Sequence, residues 1–434
     1  MGAFSQVTDP TDLSQVRSAI DRAGGSERLV PLGIHRLEIS ADAADHAAQR
    51  LSELLESAGG PVAGANVVLL TDPTPMRKGD DDAKARVEAL LRAQFQVTHV
   101  VLHDHDGHVF ADDASLDEAT EALRGADGVV SVGSGTISDI AKVASDRVGG
   151  IPFVLVQTAA SVDGYTDNVS VILRSGAKRT IPSRWPDVVL ADTEIIQDAP
   201  VELNTSGFGE LLSLFTAPAD WWLASQIGTD HSFHETPRDL LLTFAGNPSE
   251  WGAGIGDGNR AAIEQLTKVL AIRGIGTGIA GSTACLSGME HLVSHMLDMN
   301  AAANHHEIGL HGAQVGVASV VGAITWEYLL EQIRAGRPVA APRVRTEAEV
   351  LAVFADLDPS GNLGAECWRD YSAKLTAWAN AAPDLHQLIA DADALEAQLG
   401  AMLPDSARLA TGLVRAGAVA TPSALDGWVS ADVW

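Results

Sequence analysis

The chain has 434 residues, of which 46% are hydrophobic, and its formal net charge at pH 7 is −28. Its length favours two domains, and its negative charge argues against nucleic acid or an anionic membrane surface as a partner. Because Cys285 and Cys367 are the only cysteines, a disulfide framework and a cysteine-based zinc site are both excluded, which fits a reducing cytoplasm.

The first part of the chain alternates between short β-branched runs and longer helical patterns. Its N-terminal residues lack a basic segment followed by an apolar run, so we expect a cytoplasmic protein without a signal peptide. The alternation that follows indicates parallel strands joined by crossover helices. The predicted strands are residues 66–71, 98–103, 128–132, 152–157 and 187–192.

After about residue 199 the β-branched runs stop and only helical patterns follow. The apolar stretch from Val315 to Leu330 contains glycines and Glu327. It falls short of the roughly 20 apolar residues of a membrane span, so we predict a buried helix. A tryptophan-rich segment, DWWLAS, favours a homodimer. The sequence therefore predicts an α/β domain with a parallel sheet over residues 1–200, then an all-helical domain over 201–434, with a ligand cleft at their junction.

A glycine-containing loop lies within GVVSVGSGTISDIAK, residues 128–142. Glycines let the backbone approach a phosphate, and the free amides of a helix N-terminus bind it. The alternative is a strand-to-helix turn that needs glycine for its φ angle. Asp72, which directly follows strand 66–71, is suited either to the ribose hydroxyls of a dinucleotide or to capping a turn.

Small residues follow the predicted strand 152–157, and small side chains at the carboxyl end of a strand leave room for a ligand. Thr158 and Ser161 are candidates for hydrogen bonds to that ligand, and Asp163 follows them. The alternative is an irregular loop in which Asp163 and Gly164 form a turn.

Three histidines fall in an otherwise apolar part of the second half. His291 and His295 are four residues apart and project from one helix face, and His311 begins the next predicted helix. With Glu210 upstream, they are candidates for a zinc site of three protein ligands, although core histidines are the alternative. Spacing alone does not exclude His305, His306 and Glu307, whereas HDHDGH at 103–108 is predicted to be a solvated turn.

Five motifs in the same order resemble the glycerol-1-phosphate dehydrogenases, members of a superfamily with the iron-containing alcohol dehydrogenases, glycerol dehydrogenases and dehydroquinate synthases. The motifs are GSGTISDIAK, TAASVDGYTDN, GFGELL followed by ADW, SGMEHLVSH and LHGAQVG, and the resemblance covers roughly residues 30–330. It implies a Rossmann-like domain followed by an all-α domain, as in dehydroquinate synthase.

The resemblance also implies roles for individual residues. The pyrophosphate of NAD(P) is held by Gly133, Ser134, Gly135, Thr136 and Ile137, and the nicotinamide side is lined by Thr158, Ala159, Ala160 and Ser161. A divalent metal, with zinc expected and Fe²⁺ or Ni²⁺ as alternatives, is bound by Glu210, His291 and His311, while Asp163 and His295 contact the substrate. The implied reaction is hydride transfer between NAD(P)H and dihydroxyacetone phosphate or a related polyol or polyol-phosphate ketone, with the metal polarising the ketone oxygen. Asp72 favours NADH over NADPH.

The chain departs from the family pattern at three positions. Glu210 replaces an aspartate, Asp167 replaces a serine that touches the cofactor, and Leu214 replaces the lysine of GDLLGK. The lost cation weakens the expectation of a phosphorylated substrate, and Arg179 and Arg184 are candidates to replace it. Glu210 also fits a cyclase of the dehydroquinate synthase type, which lacks net NADH turnover, and a non-catalytic nucleotide-binding protein is a third alternative.

Overall fold

The computed structural model describes residue 4 and residues 6–103, 109–174, 177–303, 308–337 and 343–425. Its strands are β1 (Arg36–Ser40), β2 (Asn66–Thr71), β3 (Arg77–Lys78), β4 (Asp81–Asp82), β5 (Gln96–Val101), β6 (Gly128–Gly133), β7 (Phe153–Gln157), β8 (Val169–Arg174), β9 (Ala177–Pro182) and β10 (Val188–Asp192).

The α-helices alternate with these strands and then continue alone to the end of the described chain. They are α1 (Leu13–Arg22), α2 (Ala47–Ser57), α3 (Ala83–Arg92), α4 (Asp113–Ala122), α5 (Gly135–Arg147), α6 (Thr193–Asp198), α7 (Val201–Leu211), α8 (Ala217–Gln226), α9 (Thr236–Ala245), α10 (Pro248–Trp251), α11 (Arg260–Ala280), α12 (Met289–Ala303), α13 (His311–Arg334), α14 (Glu347–Phe354), α15 (Asn362–Ile389), α16 (Ala392–Gly400) and α17 (Ser406–Arg415).

Six parallel strands form the central sheet in the order β1-β10-β7-β6-β2-β5. Successive residues of a strand point to opposite faces, and both faces are covered. In β2, Leu69 joins an apolar cluster with α2 and α3, whereas Leu70 joins a cluster with α4 and α5. This two-sided burial explains the continuous β-branched runs, and it confirms the predicted fold class and the five predicted strands.

Some strands were not predicted. The edge strand β1, RLEIS, is polar at several positions and only partly buried, so it lacks the apolar run of a central strand. The antiparallel hairpin of β8 and β9 lies outside the main sheet and therefore has no crossover helix to mark it. The short pair β3 and β4 is likewise separate from the sheet.

The strand order places a crevice between β2 and β6. From β2 the chain moves outward to β5, and it then crosses back to β6 on the other side of β2. A reversal of this kind in a parallel sheet opens a crevice at the carboxyl ends of the strands, where ligands bind. Leu70 of β2 is in register with Ser131 of β6, so Asp72 and Gly133, two residues further along each strand, flank this crevice.

The long helix α13 is packed inside the helical part, in contact with α7, α12 and α17. Among the described residues, α13 is the helix whose length and hydropathy would suffice to cross a membrane. The sequence analysis, in contrast, judged this apolar stretch too short for a membrane span. Because 56% of its most apolar segment is buried in the protein, α13 has the character of a core helix. Trp221 and Trp222 of α8 are also buried, so they offer no exposed surface for the homodimer expected from DWWLAS.

Backbone contact between α7 and α13 depends on glycine. A methyl group at Gly209 would lie 2.2 Å from the carbonyl oxygen of Gly312, and one at Gly312 would lie 2.2 Å from the carbonyl oxygen of Ser206. Both distances are far inside van der Waals contact, so neither position accepts a larger residue without separating the two helices. The contact holds Glu210 of α7 near His311, the first residue of α13.

We expect Gly209→Ala to lower the free energy of unfolding by about 1–3 kcal/mol, because the added methyl group forces α7 away from α13. Alanine is otherwise the better helix former, so the sign of the effect comes from the clash. Urea denaturation followed by circular dichroism measures the change. The control is Gly400→Ala in α16, where a methyl group would meet no atom within 4 Å. Equal stability of Gly209→Ala and the wild type would contradict the contact.

Candidate active site

The glycine loop joins the end of β6 to the start of α5. A methyl group at Gly133 would lie 2.5 Å from Cβ of Ile137, so glycine is required for the strand to turn into the helix. Ser134 occupies the N-cap position without a side-chain capping hydrogen bond, which leaves amides of the first turn available. Gly135 and Thr136 line a cavity of about 940 Å³. This loop therefore presents a helix N-terminus to the cavity, an arrangement suited to a phosphate group.

Three hydroxyl groups form a cluster behind the loop. The hydroxyl of Ser134 lies 3.1 Å from that of Ser161 and 3.2 Å from that of Tyr165, and the last two are 3.2 Å apart. Burial raises the pKa of Tyr165 to about 12, so its phenol remains protonated and can donate. The cluster fixes Ser161, which also lines the cavity, against the glycine loop.

The residues between β7 and Ser161 are bound mainly to the scaffold. The amide of Thr158 donates to the carbonyl of Gly133, and that of Ala160 donates to Oδ1 of Asn204 on α7. Thr158, Ala159 and Ala160 are all buried, and none of them is among the residues that line the cavity. They set the position of Ser161, and the lining role predicted for them is not visible in the described cavity.

Asp72 lies at the crevice, outside the lining of the cavity. Its Oδ1 is 2.9 Å from Nζ of Lys84, and its Oδ2 accepts a hydrogen bond from the hydroxyl of Thr74 at 3.0 Å. The same ammonium also donates to the backbone carbonyls of Asp72 and Thr74. The aspartate is thus held in one orientation at the end of β2.

A buried lysine lies beside Asp139, Gly164 and Asp167, which line the cavity. Nζ of Lys142 donates to Asp167 at 2.6 Å and to the carbonyl of Gly164 at 2.7 Å, and it lies 3.3 Å from Asp139. Burial raises the pKa of Asp167 to about 7, against the opposing effect of Lys142. The aspartate that replaces the family's serine is therefore matched by a cation from α5.

Three helices bring the candidate metal ligands together. Glu210 lies on α7, His291 on α12 and His311 on α13. One ligand atom from each lies within 4.8 Å of the other two. Nε2 of His291 is 3.2 Å from Oε1 of Glu210, and Nε2 of His311 is 3.7 Å from Oε2. Residues 104–108 and 304–307, which include the competing histidine and acidic candidates, lie outside the described residues.

The other ring nitrogen of each histidine is already engaged. Nδ1 of His291 donates to the carboxylate of Glu290 at 2.9 Å. The hydroxyl of Ser294 donates to Gln314 at 2.7 Å, so its oxygen accepts from Nδ1 of His311 at 2.8 Å. With Nδ1 donating in both rings, the Nε2 atoms that face Glu210 are the ones that could bind a metal, an arrangement typical of metal-binding histidines.

The donor set fits a divalent cation. Oε2 of Glu210 is fully buried and has no hydrogen-bond partner among the described residues. Buried carboxylate oxygens are almost always satisfied, so an orphaned one between two imidazoles indicates a missing positive partner. Two nitrogens and one oxygen are a ligand set that zinc accepts at catalytic sites, and Fe²⁺ and Ni²⁺ use the same donors.

Arg273 of α11 is a charged group that the sequence analysis missed. It is buried, and its Nη1 contacts both Asp163 and, at 2.8 Å, Oε1 of Glu210. Its Nη2 donates to Ser213 at 2.8 Å and to the carbonyl of Leu286 at 2.9 Å. The lone arginine in VLAIRGIG was the available signal, since an unpaired charge in an apolar helix is costly.

Burial and neighbouring charges shift the pKa values of Glu210 and of the three histidines. Burial alone would raise the pKa of Glu210, but Arg273 and His291 hold it well below its ordinary value. Burial would lower the pKa of His291, but Glu210 raises it to about 9. Burial and the charge of Lys178 lower the pKa of His295 to about 3, and the same causes lower that of His311. His295 is therefore neutral at physiological pH.

Most of the site residues predicted from the sequence line the cavity. Gly135, Thr136, Ser161, Asp163, Asp167, Glu210, His291, His295 and His311 all line it. Neither Arg179, paired with Glu366 and Asp370, nor Arg184, paired with Asp187, lines it. Instead Lys178 and Asp298, which the sequence analysis missed, form an ion pair at its wall.

Comparisons with known proteins agree with this geometry. The family model for iron-containing alcohol dehydrogenase matches residues 42–200. The glycerol-1-phosphate dehydrogenase [NAD(P)+] of Thermococcus sibiricus is 33% identical over 285 residues, which are 64% of this chain and 77% of that protein. The corresponding protein of Haloquadratum walsbyi is 34% identical over 304 residues, 66% of this chain and 81% of that protein.

Solved structures share the fold. The glycerol dehydrogenase of Schizosaccharomyces pombe superposes with a TM-score of 0.53 at 18% identity, covering 87% of this chain and 95% of that chain. An archaeal alcohol dehydrogenase from a Red Sea brine pool gives 0.53 at 14% identity, covering 90% and 94%. The sequence relatives establish what the fold alone does not: the chain belongs to the glycerol-1-phosphate dehydrogenase family and is a metal-dependent NAD(P) oxidoreductase of the alcohol dehydrogenase type.

Proposed function

We propose that the chain transfers hydride between NAD(P)H and dihydroxyacetone phosphate or a related polyol or polyol-phosphate ketone. One observation carries the proposal. A single cavity joins the N-terminus of α5 to the cluster of Glu210, His291 and His311. A dinucleotide at the glycine loop would thus deliver its nicotinamide beside a Lewis-acid site, as reduction of a ketone requires.

Each residue of the cluster has a distinct part in this proposal. A divalent metal, for which we propose zinc, would be held by Glu210, His291 and His311 and would supply Lewis-acid polarisation of the carbonyl group. Arg273 holds Asp163 and Glu210 in place and offsets part of their negative charge. His295, neutral and at the cavity wall, donates or accepts a hydrogen bond at the substrate, and water or this ring is the route for the proton.

The test is a spectrophotometric assay of NADH consumption by zinc-loaded protein, with dihydroxyacetone phosphate and dihydroxyacetone offered separately. Net oxidation of NADH by at least one of them supports the proposal. Net turnover also separates a dehydrogenase from a cyclase, which reoxidises its cofactor within each cycle. Absence of turnover with both ketones, in protein shown to contain metal, would contradict the proposed substrate class.

We expect His311→Ala to lower kcat/KM by more than about 100-fold, because it removes a ligand nitrogen from the cavity wall. Affinity for NADH, which binds at the glycine loop, should change little. Metal content by elemental analysis and NADH affinity by fluorescence titration measure the two effects. The control is His386→Ala, an exposed residue on α15. A His311→Ala protein with full metal content and full rate would refute the ligand assignment.

Glu290→Gln should weaken zinc affinity about 10–100-fold, since the carboxylate that orients the imidazole of His291 is lost. Competition with a chromogenic chelator measures this affinity directly, without reference to turnover. Glu396→Gln, which removes an exposed carboxylate paired with Arg334, is the matched control. Unchanged zinc affinity in Glu290→Gln would mean that the hydrogen bond to Nδ1 does not position the ligand.

Wild-type protein should use NADH with a kcat/KM about tenfold higher than NADPH, a difference of about 1.4 kcal/mol. Asp72 is fixed by Lys84 and Thr74, where it can accept from a ribose 2′-hydroxyl and oppose a 2′-phosphate. Replacing Asp72 with serine should reduce the preference for NADH over NADPH. Steady-state kinetics with both cofactors measure it, and an equal or higher kcat/KM for NADPH in the wild type would refute this role.

A further inference from the structure

Apart from the effect of Lys178 on the pKa of His295 and of His311, one ion pair in the cavity has no part in the chemistry described above. Asp298 lies on α12, and its Oδ2 pairs with Nζ of Lys178 on β9. His291, His295 and Asp298 follow one another at intervals of four and three residues, so they lie along the same face of α12 and all line the cavity. The ion pair is thus placed immediately beyond His295, on the side away from His291.

Asp298 has an unmet hydrogen-bonding requirement. The residue is only 4% exposed, and its Oδ1 is buried without a hydrogen-bond partner among the described residues. Lys178 donates to Oδ2, which leaves two of its three N–H groups without a donor contact in the described part of the cavity. A buried acceptor next to available donors matches a ligand group that both donates and accepts, and a hydroxyl group does both.

Charge beside Lys178, beyond the proposed metal ligands, argues against a phosphate at the same place. Five carboxylates line it, those of Asp139, Asp163, Asp167, Glu210 and Asp298. Among the described residues, each lysine or arginine in contact with them is already paired: Lys142 with Asp139 and Asp167, Arg273 with Asp163 and Glu210, and Lys178 with Asp298. Leu214, at the family's lysine position, is buried and does not line the cavity.

A phosphomonoester would bring a charge of about −1.5 to −2 into this paired set. Near Lys178 it would also lie beside the buried carboxylate of Asp298, and like charges in a desolvated site repel strongly. A neutral hydroxyl avoids that repulsion and satisfies Oδ1.

We propose that Asp298 and Lys178 form a hydroxyl-binding subsite that makes the enzyme select an unphosphorylated polyol, or its ketone, over the phosphate ester. The substrate hydroxyl donates to Oδ1 of Asp298 and accepts from Nζ of Lys178. This inference rests on the proposed function, because it assumes that the cavity binds a polyol substrate. The subsite would bind the end of the substrate that lies away from the reacting carbon.

The experiment measures equilibrium binding of glycerol and of glycerol 1-phosphate to the full-length, zinc-loaded protein by ligand-observed NMR titration. NADH is present throughout, since it cannot accept a hydride and no turnover disturbs the measurement. We expect the wild type to bind glycerol more tightly than its phosphate. Asp298→Asn should weaken glycerol binding about tenfold, through loss of a charge-assisted hydrogen bond. It should leave binding of the phosphate unchanged or improve it.

Two further variants complete the test. Lys178→Met should also weaken glycerol binding, because it removes the donor of the subsite. Asp117→Asn, at an exposed carboxylate paired with Arg147, is the matched control and should bind both compounds as the wild type does. Thermal unfolding of each variant shows whether its fold is kept, and the near-isosteric Asp298→Asn keeps the comparison valid if Lys178→Met is destabilised.

Tighter wild-type binding of the phosphate, or a larger loss of phosphate than of glycerol binding in either variant, would overturn the subsite. Such a loss in Lys178→Met would identify Lys178 as an anion-binding residue. Glycerol affinity unchanged in Asp298→Asn would overturn it as well. Failure of the proposed function is a separate outcome. If the subsite binds glycerol as expected but the protein turns over neither ketone, the binding site stands and the proposed reaction is refuted.

Discussion

The contact between α7 and α13 determines whether this protein has an active site. Glu210 and His311 belong to helices that meet backbone to backbone, and the glycines at 209 and 312 allow that approach because any Cβ would fall about 2.2 Å from a carbonyl oxygen. Side-chain packing normally keeps helix axes about 8–10 Å apart. The side chains of Glu210 and His311 are too short to meet across a larger gap between the helices. The candidate metal site therefore depends on the glycine contact.

Bringing carboxylates into that space creates an electrostatic cost that the scaffold must offset. Glu210 is buried and Asp163 is partly buried, and both are held by one guanidinium from α11. Its planar fork reaches two carboxylates, a hydroxyl and a carbonyl at once, which a lysine ammonium does less well. Arg273 contacts the segment in which Leu214 replaces the family's lysine, so the cation here comes from a different helix. A charge committed to two carboxylates is no longer free for a substrate anion.

Much of the architecture could be predicted from the sequence. The runs NVVLLT, GVVSV and PFVLVQ are apolar on both faces, because helices cover both sides of the central strands, and such runs are recognisable without a structure. The histidines at 291 and 295 had a defined spacing on α12. Edge strand β1 and the hairpin of β8 and β9 lacked such signals, since an exposed edge tolerates polar residues.

The residues missed at the site share one physical property. Lys178, Arg273 and Asp298 act through partners that are distant in sequence, with separations of 120 residues for the Lys178–Asp298 pair and 60 for the contact of Arg273 with Ser213. A sequence pattern reports neighbours along a helix or strand, and it carries no information on which remote charges meet. The roles predicted for Ala159 and Ala160 came from position in a motif, whereas their burial depends on how closely α7 approaches the loop.

The three candidate ligands lie on three helices, and Glu210 is 81 residues from His291 along the chain. A bound cation would act as a reversible cross-link that closes this long segment, and restricting a long loop removes much conformational entropy from the unfolded chain. Stability and metal supply are then thermodynamically linked, because the free energy of unfolding rises with the logarithm of the ratio of the free metal concentration to its dissociation constant. In a cell starved of metal, the protein would lose abundance through degradation as well as activity, so the amount of enzyme would itself report on metal availability.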